Sequence, residues 1–392
     1  MKLNELRKLV KETISETKRN RRPRRDWNSI VESTCTDVLL SEDKQSQRAG
    51  YNPSEGQTKT AFKKLSDALK KGDVPGVRAI LDSPVMTTGA VQDILDKGDG
   101  GDDAIKIKDG SKLAKELVPT QGFIDCMQSA AGILSAVAIL EQYANPSKPI
   151  EPGDALSISG NFILDGHHRW SGILAANPEA PIKTRDFQIP GNAGQKLGTL
   201  QVAVAAKRQD GNKLPSKGGD AKQNILGESE SGIKTLLDKN TGVAATDGFI
   251  KGKGGIAFLG DEYMQELQSA SAEALALFGL QASDSGFQDK DGNDLQALPL
   301  DQCKGKGSSC PVRAKIIGQV SKNLSSMPDQ AAGSPANRED MPQLDHDEIG
   351  GKPGFAEMRT ELPAGELNVA APFLEESIDL RRWNKLAGIL KD

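Results

Sequence analysis

The sequence predicts an α+β (α/β) fold, a small mixed domain over residues 103 to 235 flanked by helical segments and long polar stretches. Three observations predict it. Short β-compatible runs alternate with runs of helical period between residues 104 and 206, in the order strand, helix, strands, helix, strand, helix. A strand, a tight turn and a helix follow one another directly at residues 161 to 176, Asn-Phe-Ile-Leu-Asp-Gly-His-His-Arg-Trp-Ser-Gly-Ile-Leu-Ala-Ala. The composition, 36% hydrophobic and 4% aromatic with 41 Gly and 20 Pro in 392 residues, is too lean for uniform packing, so one or two modest cores joined by polar tethers are expected.

Taken in order, Leu3, Leu6, Val10 and Ile14 recur three or four apart among Lys, Arg and Glu, which predicts an amphipathic helix over residues 2 to 17. Lys18 to Arg25 then packs six basic residues and a proline into eight positions, a pattern shared by solvated linkers, nucleic-acid contacts and localisation signals. Residues 1 to 34 form this first segment, and residues 41 to 58 are polar with Gly and Pro. Phe62, Leu65 and Leu69 mark a helix ending near Lys71-Gly72; Val91, Ile94 and Leu95 mark another that stops in Lys97-Gly98-Asp99-Gly100-Gly101. Residues 58 to 98 are thereby set off as a small helical segment.

In the central domain, Ala104 to Ile107 reads as a short strand and Phe123 to Gln142 as a long Ala-rich helix. Breaks at Asn145-Pro146 and Glu151-Pro152-Gly153 follow, then Ala155 to Ser159 and Asn161 to Leu164 pair as a hairpin. Lys183 to Gln188 is a further strand, Thr199 to Ala206 a further helix, and residues 208 to 232 turn polar and Gly-rich. Residues 241 to 326 form a helical segment, with one helix over Asp261 to Phe278 and another over Val312 to Leu324. Gly252-Lys253-Gly254-Gly255 fits neither phosphate-loop pattern and reads as a turn. Asp289-Lys290-Asp291-Gly292-Asn293-Asp294 has its Gly too early for a calcium loop and no Glu at the twelfth position, so a tight polar turn is expected. Residues 327 to 392 form a polar tail in which His346 lies among Asp345, Asp347 and Glu348, read as a solvated acidic loop. It closes on an amphipathic helix through Ile378, Trp383, Leu386, Ile389 and Leu390.

The net charge of -4 excludes a globally basic nucleic-acid coat, so any contact with DNA or RNA is local. No apolar run reaches membrane-spanning length and the N-terminus lacks a signal-peptide core, so a soluble protein of intracellular origin without a membrane partner is expected. Cys35, Cys126, Cys303 and Cys310 are too scattered for a disulfide framework; Cys303 and Cys310 bracket a Gly/Lys/Ser loop, with two surface thiols favoured over a loop disulfide. No CxxC or HxxxH spacing occurs, and no structural metal is expected.

Chemistry concentrates at Asp165 to Arg169, where two of the three histidines stand beside an arginine at a helix start. A helix N-terminus exposes N–H donors and positive dipole, Gly166 admits a ligand close to the backbone, His167 and His168 donate or shuttle protons, and Arg169 offers a planar fork to phosphate oxygens. The residues alone therefore suggest a phosphate site, against the alternative of a solvated turn with a structural His and a surface Arg.

Leu117-Val118-Pro119-Thr120-Gln121-Gly122-Phe123-Ile124-Asp125, ahead of Asp165-Gly166-His167-His168-Arg169-Trp170, resembles the motif pair of ParB/sulfiredoxin-like domains, and more narrowly the phage-encoded ParB-like nuclease branch. The resemblance covers residues 103 to 235, a third of the chain. It implies a compact α/β fold in which the turn holds nucleotide phosphates or a phosphorylated substrate, with ATP or CTP and Mg²⁺ as cofactors. It further implies that Gly166 and the following N–H groups cradle phosphate, that His168 and Arg169 bind its oxygens, that Asp165 fixes the turn or approaches a metal, and that Thr120 and Gln121 lie across the cleft. The chain departs from the sulfiredoxin pattern in having no Cys beside the motif, and from partition proteins in having no evident helix-turn-helix after the domain. Its ends, Met1 to Thr17 and Leu380 to Ile389, are similar to terminal tags on proteins of marine T-even-like tailed phages. That implies host cytoplasm during infection, or the virion, as location and phage structural proteins as partners of the terminal helices.

Two functions lead the expectations, with a DNA-binding accessory factor using Lys18 to Arg25 as a third. One is nucleotide-dependent phosphoryl transfer or phosphodiester hydrolysis, with His167, His168 and Asp165 as catalytic candidates and nucleotide or nucleic acid as partner. The other is a non-catalytic virion or prohead-associated binding protein that retains the fold.

Overall fold

The computed structural model describes residues 53–91, 95, 104–131, 137–144, 147, 149–151, 155–207, 211–214, 223–243, 257–284, 286–303, 309–334, 336–342, 348–349, 352–353 and 365–368. The first helix, α1 (Glu55–Lys71), starts on a capping box, Ser54 Oγ accepting from the Gln57 N–H while the Gln57 side chain accepts from the Ser54 N–H. It ends where the period predicts, at Gly72, whose φ of 68° lets the chain reverse. α2 (Val74–Leu81) follows on an Asp73 cap.

A six-stranded mixed sheet forms the middle of the molecule. Its strands are β1 (Ala104–Leu113), β2 (Val118–Pro119), β3 (Leu156–Ser159), β4 (Phe162–Asp165), β5 (Pro181–Phe187) and a C-terminal edge strand (Gly365–Asn368). From that edge strand inward the order is β1, β5, β3, β4, β2. β3 and β4 are the expected antiparallel hairpin, turning at Gly160, while β3 beside β5 and β2 beside β4 run parallel. Alternation sends Ile158, Ile163 and Ile182 to one face and Ile107, Leu164 and Phe187 to the other, so the sheet carries a core on each side.

Four helices cover the first face: α3 (Val137–Ala144), α4 (His167–Ala176), α6 (Glu230–Asn240) and α9 (Pro311–Ser325). The short helices α7 (Asp261–Leu267) and α8 (Ala272–Ala276) join them. The second face is covered by α1, α2 and α5 (Ala193–Lys207). Residues 52 to 392 group as one compact unit, so the stretches 58 to 98, 103 to 235 and 241 to 326 share it.

Several expectations change. The helix expected over Phe123 to Gln142 is interrupted: Met127–Ala131 is a π-helical turn and regular helix is described again only in α3. Ser129 Oγ donates to the Asp125 carbonyl at 2.7 Å, competing with the ladder of that turn. The helix expected over Asp261 to Phe278 splits into α7 and α8 because Ser271 starts a new helix, with its N–H and hydroxyl both donated to the Glu141 carboxylate. The calcium-like stretch closes a small sheet of β6 (Leu280–Ser283), β7 (Gly286–Asp289) and β8 (Asp294–Leu295). There the Asp289 carboxylate accepts from the backbone N–H and then the side-chain amide of Asn293, and more weakly from the Asp291 N–H, which holds it below the usual carboxylate range. Cys303 and Cys310 are joined in a disulfide rather than standing as two surface thiols; their Cα atoms are 5.5 Å apart and both residues are buried. The C-terminal tract, read as a polar tail, supplies β9 (Glu348–Ile349) paired with β10 (Lys352–Pro353), and β11 (Gly365–Asn368), which pairs antiparallel with β1.

No helix among the described residues is long and apolar enough to cross a membrane. The expected terminal helices, Lys18 to Arg25, Lys97 to Gly101, Gly252 to Gly255 and the surroundings of His346 lie outside the described residues.

Candidate functional site

β4 runs straight into the turn. Gly166 takes φ 97° and ψ 22° as the N-cap of α4, and no side chain caps the helix. Trp170 N–H donates to the Gly166 carbonyl at 2.9 Å to start the ladder, and the indole N–H of this fully buried tryptophan donates to the Ala114 carbonyl at 2.7 Å. Trp170 is thus a core anchor for the first turn of α4.

The glycine is required twice over. Its φ is left-handed, and a Cβ there would stand 2.5 Å from Leu156 Cδ2 and 3.0 Å from Arg169 Nη2. The Arg169 guanidinium therefore lies against the bare backbone of Gly166, held by Asp165 at 3.3 Å, with side-chain exposures of 14% and 19% for the arginine and the aspartate. Gly166→Ala is expected to destabilise the fold by about 2–4 kcal/mol, combining left-handed backbone strain with overpacking. Urea unfolding measures this; a loss under about 0.5 kcal/mol, within the range of ordinary surface changes, would remove the steric argument.

The two histidines have different surroundings. His167 is buried, and its Nε2 accepts from the backbone N–H groups of Thr120 at 3.1 Å and Gln121 at 3.2 Å. The Thr120 hydroxyl donates to the Ile163 carbonyl at 2.5 Å, so it cannot also supply a proton to that nitrogen. The neutral ring thus carries its hydrogen on Nδ1. Burial, and secondarily the neighbouring His168, push the His167 pKa down to about 3. Its Nε2 lone pair is committed to the Pro119-Thr120-Gln121 segment, which makes it a positioning group.

His168 Nδ1 lies 3.4 Å from Ser129 Oγ. Ser129 donates its one hydrogen to the Asp125 carbonyl and receives one from Ser171 Oγ at 2.6 Å, so toward His168 it acts as acceptor. The other ring nitrogen, Nε2, is buried. Cys126, next to Asp125, is buried, and burial first, then Asp125, pushes its thiol up to about 12, which favours the protonated form.

Thr120 and Gln121 are brought to the turn, as buried partners of His167 rather than as walls of an open cleft. The Gln121 side-chain amide donates to the Phe123 carbonyl. A strap formed by residues 330 to 336 closes over them. Ala331 N–H donates to the Pro119 carbonyl at 2.8 Å, while Gln330 Nε2 at 2.9 Å and Ser334 Oγ at 2.7 Å both donate to the Thr120 carbonyl. Gly122 N–H answers by donating to the Ala336 carbonyl at 3.0 Å. Sequence reasoning missed Ser129, Ser171, Gln330 and Ser334. The serines show no spacing signal, and the strap sits in a tract whose composition reads as tether.

Compared with known proteins, the chain matches no family model, no curated protein and no solved structure.

Proposed function

We propose that the Asp165 to Arg169 turn binds a phosphoryl group, as part of a nucleotide or of a nucleic-acid backbone, in the manner the ParB/sulfiredoxin-like resemblance implies. The observation that carries this is the cradle at Gly166, where a left-handed, side-chain-free N-cap faces a guanidinium with no Cβ between them. The positive end of α4 is not neutralised by a capping side chain, and Arg169 adds a planar pair of donors on the same side. The mixed sheet whose strand feeds this turn supports the same reading.

Among the described residues no three His, Cys, Asp or Glu side chains converge to hold a metal on their own. A Mg²⁺ arriving with ATP or CTP would be held mainly by phosphate oxygens, with Asp165 as the carboxylate at the turn. In a phosphoryl-transfer or phosphodiester-hydrolysis reading, Gly166 and Arg169 position and neutralise the phosphoryl oxygens, and His168 is the residue at the turn that would take the proton from the attacking oxygen. Asp165 orients Arg169, and His167 holds the Thr120-Gln121 segment in place.

The alternative, a binding protein that retains the fold without catalysis, is favoured by one observation: of the two histidines at the turn, His167 has its Nε2 spent on backbone N–H groups. Calorimetric titration with ATP and CTP in the presence of Mg²⁺ tests the site. Arg169→Ala is expected to weaken nucleotide binding at least about tenfold, the scale of one lost charge-assisted pair. Unchanged affinity in Arg169→Ala would end the phosphate reading. Binding without turnover, equal in wild type and His168→Ala, would favour the non-catalytic alternative.

A further inference from the structure

We propose that the exposed face of α1 is a docking surface for the phosphate backbone of duplex nucleic acid, engaged without regard to base sequence. This inference is independent of the Gly166 site. α1 is a 17-residue helix whose Phe62, Leu65 and Leu69 are buried in the core beneath it. Its outward face carries Lys59, Lys63, Lys64, Lys70 and Lys71, all exposed, against only Glu55 and Asp67. Among the described residues none of the five lysines lies within ion-pair distance of a carboxylate. In a chain whose net charge is -4, that is a local excess of unneutralised positive charge.

The arrangement has a shape. At 3.6 residues per turn, Lys59, Lys63 and Lys70 fall within about 40° of one another around the helix, and Lys64 and Lys71 form a second row about 100° away. Between the rows lie Gly56, Thr60 and Asp67, with no bulky side chain. The result is two rails along a helix about 25 Å long.

The chemistry of the rails selects the partner. An anionic membrane would need an apolar face to insert, and the apolar face of α1 is already consumed by the core. A protein partner would be expected to meet aromatic or arginine anchors, and base readout to meet forked donors; the exposed face of α1 has neither. Five point charges on flexible stems suit a regular line of phosphates, where each neutralised phosphate releases a counterion.

The test is fluorescence anisotropy of the full chain on a random-sequence DNA duplex, titrated between 50 and 200 mM salt. Replacing the five lysines together (Lys59→Gln, Lys63→Gln, Lys64→Gln, Lys70→Gln, Lys71→Gln) is expected to flatten the log–log salt slope by about 4 and to weaken binding on the order of a hundredfold at the low-salt end. Circular dichroism and melting temperature should not change. Arginine at the same five positions is expected to retain binding. Three results would each overturn the proposal: a glutamine variant with wild-type affinity and slope, an arginine variant that loses binding as the glutamine variant does, or a wild type that binds phosphatidylserine vesicles but not the duplex. Arg169→Ala, run alongside, reads the turn site alone, so failure there leaves the slope comparison intact.

Discussion

Arg313→Ala is expected to destabilise the protein by about 3–5 kcal/mol, because it empties a buried side-chain volume and leaves two carbonyls without their donors, while Asp261, half exposed, is left to water. Arg313 is 1% exposed, and its guanidinium uses each nitrogen. Nε donates to the Leu259 carbonyl at 2.8 Å, Nη1 to the Leu298 carbonyl at 2.5 Å, and Nη2 to Asp261 Oδ1 at 2.6 Å. Asp261 Oδ1 also accepts from the Leu300 N–H at 2.9 Å, so one fork ties α9 to the segments around residues 259 and 298. Leu259 has a φ of 47°, a left-handed conformation unfavourable for a branched side chain, and the Arg313 bond helps to fix it there. Chemical denaturation measures the loss. Arg313→Lys should recover only part of it, because a single ammonium cannot reproduce the planar fork. Full stability in Arg313→Met would show that packing, and not the three bonds, holds this region.

The second large effect is a dependence of stability on pH carried by His167. The folded protein keeps the ring neutral down to about pH 3, because burial disfavours the cation and protonation at Nε2 would remove both bonds from Thr120 and Gln121. The unfolded chain takes up that proton near pH 6.5. Between those values the unfolded state binds more protons than the folded one, so stability falls as the pH drops through that window and is unaffected by this group above it. At about 1.4 kcal/mol per pH unit, the loss from pH 6.5 to pH 5 is about 2 kcal/mol. His167→Gln removes the titration while keeping an acceptor. The difference between wild type and variant, followed by urea midpoints at pH 7 and pH 5, should therefore shrink at the lower pH. Parallel declines in the two proteins would show that His167 does not titrate between states. His167→Ala at pH 7 is expected to cost about 3–5 kcal/mol, since it leaves two buried N–H donors without an acceptor and opens a cavity.

What could be read from the residues and what could not divides along physical lines. The end of α1 at Gly72, the hairpin of β3 and β4, the entry of β4 into the His-His-Arg turn and the span of α9 follow from local period and turn chemistry, and the structure shows each. Local signals failed where a distant partner decides. Glu141 takes both donors of Ser271 and splits a helix whose apolar spacing reads as continuous. β11 has no strand signature of its own and exists by pairing with β1, and the residue 330 to 336 strap looks like tether until its bonds to Pro119 and Thr120 are seen. At the site itself the cluster of Gly, His and Arg was visible. The division of labour between two adjacent histidines was not, because it depends on Thr120 and Ser129, remote in sequence.

The strap also bears on the order in which the molecule is made. Residues 118 to 171 contain the turn, both histidines and the serines that orient them, yet the donors to the Thr120 carbonyl come from Gln330 and Ser334. On the ribosome the turn emerges well before its cover, and the edge strand that completes the sheet emerges later still. For that interval the Pro119 and Thr120 carbonyls must be served by water, and the sheet edge at β1 stands open to another chain. Pairings that join residue 104 to residue 368 are also the slow kind, since they close the longest loops. The segment that reads as the least structured of the compact unit is therefore the one whose arrival ends the period of greatest exposure.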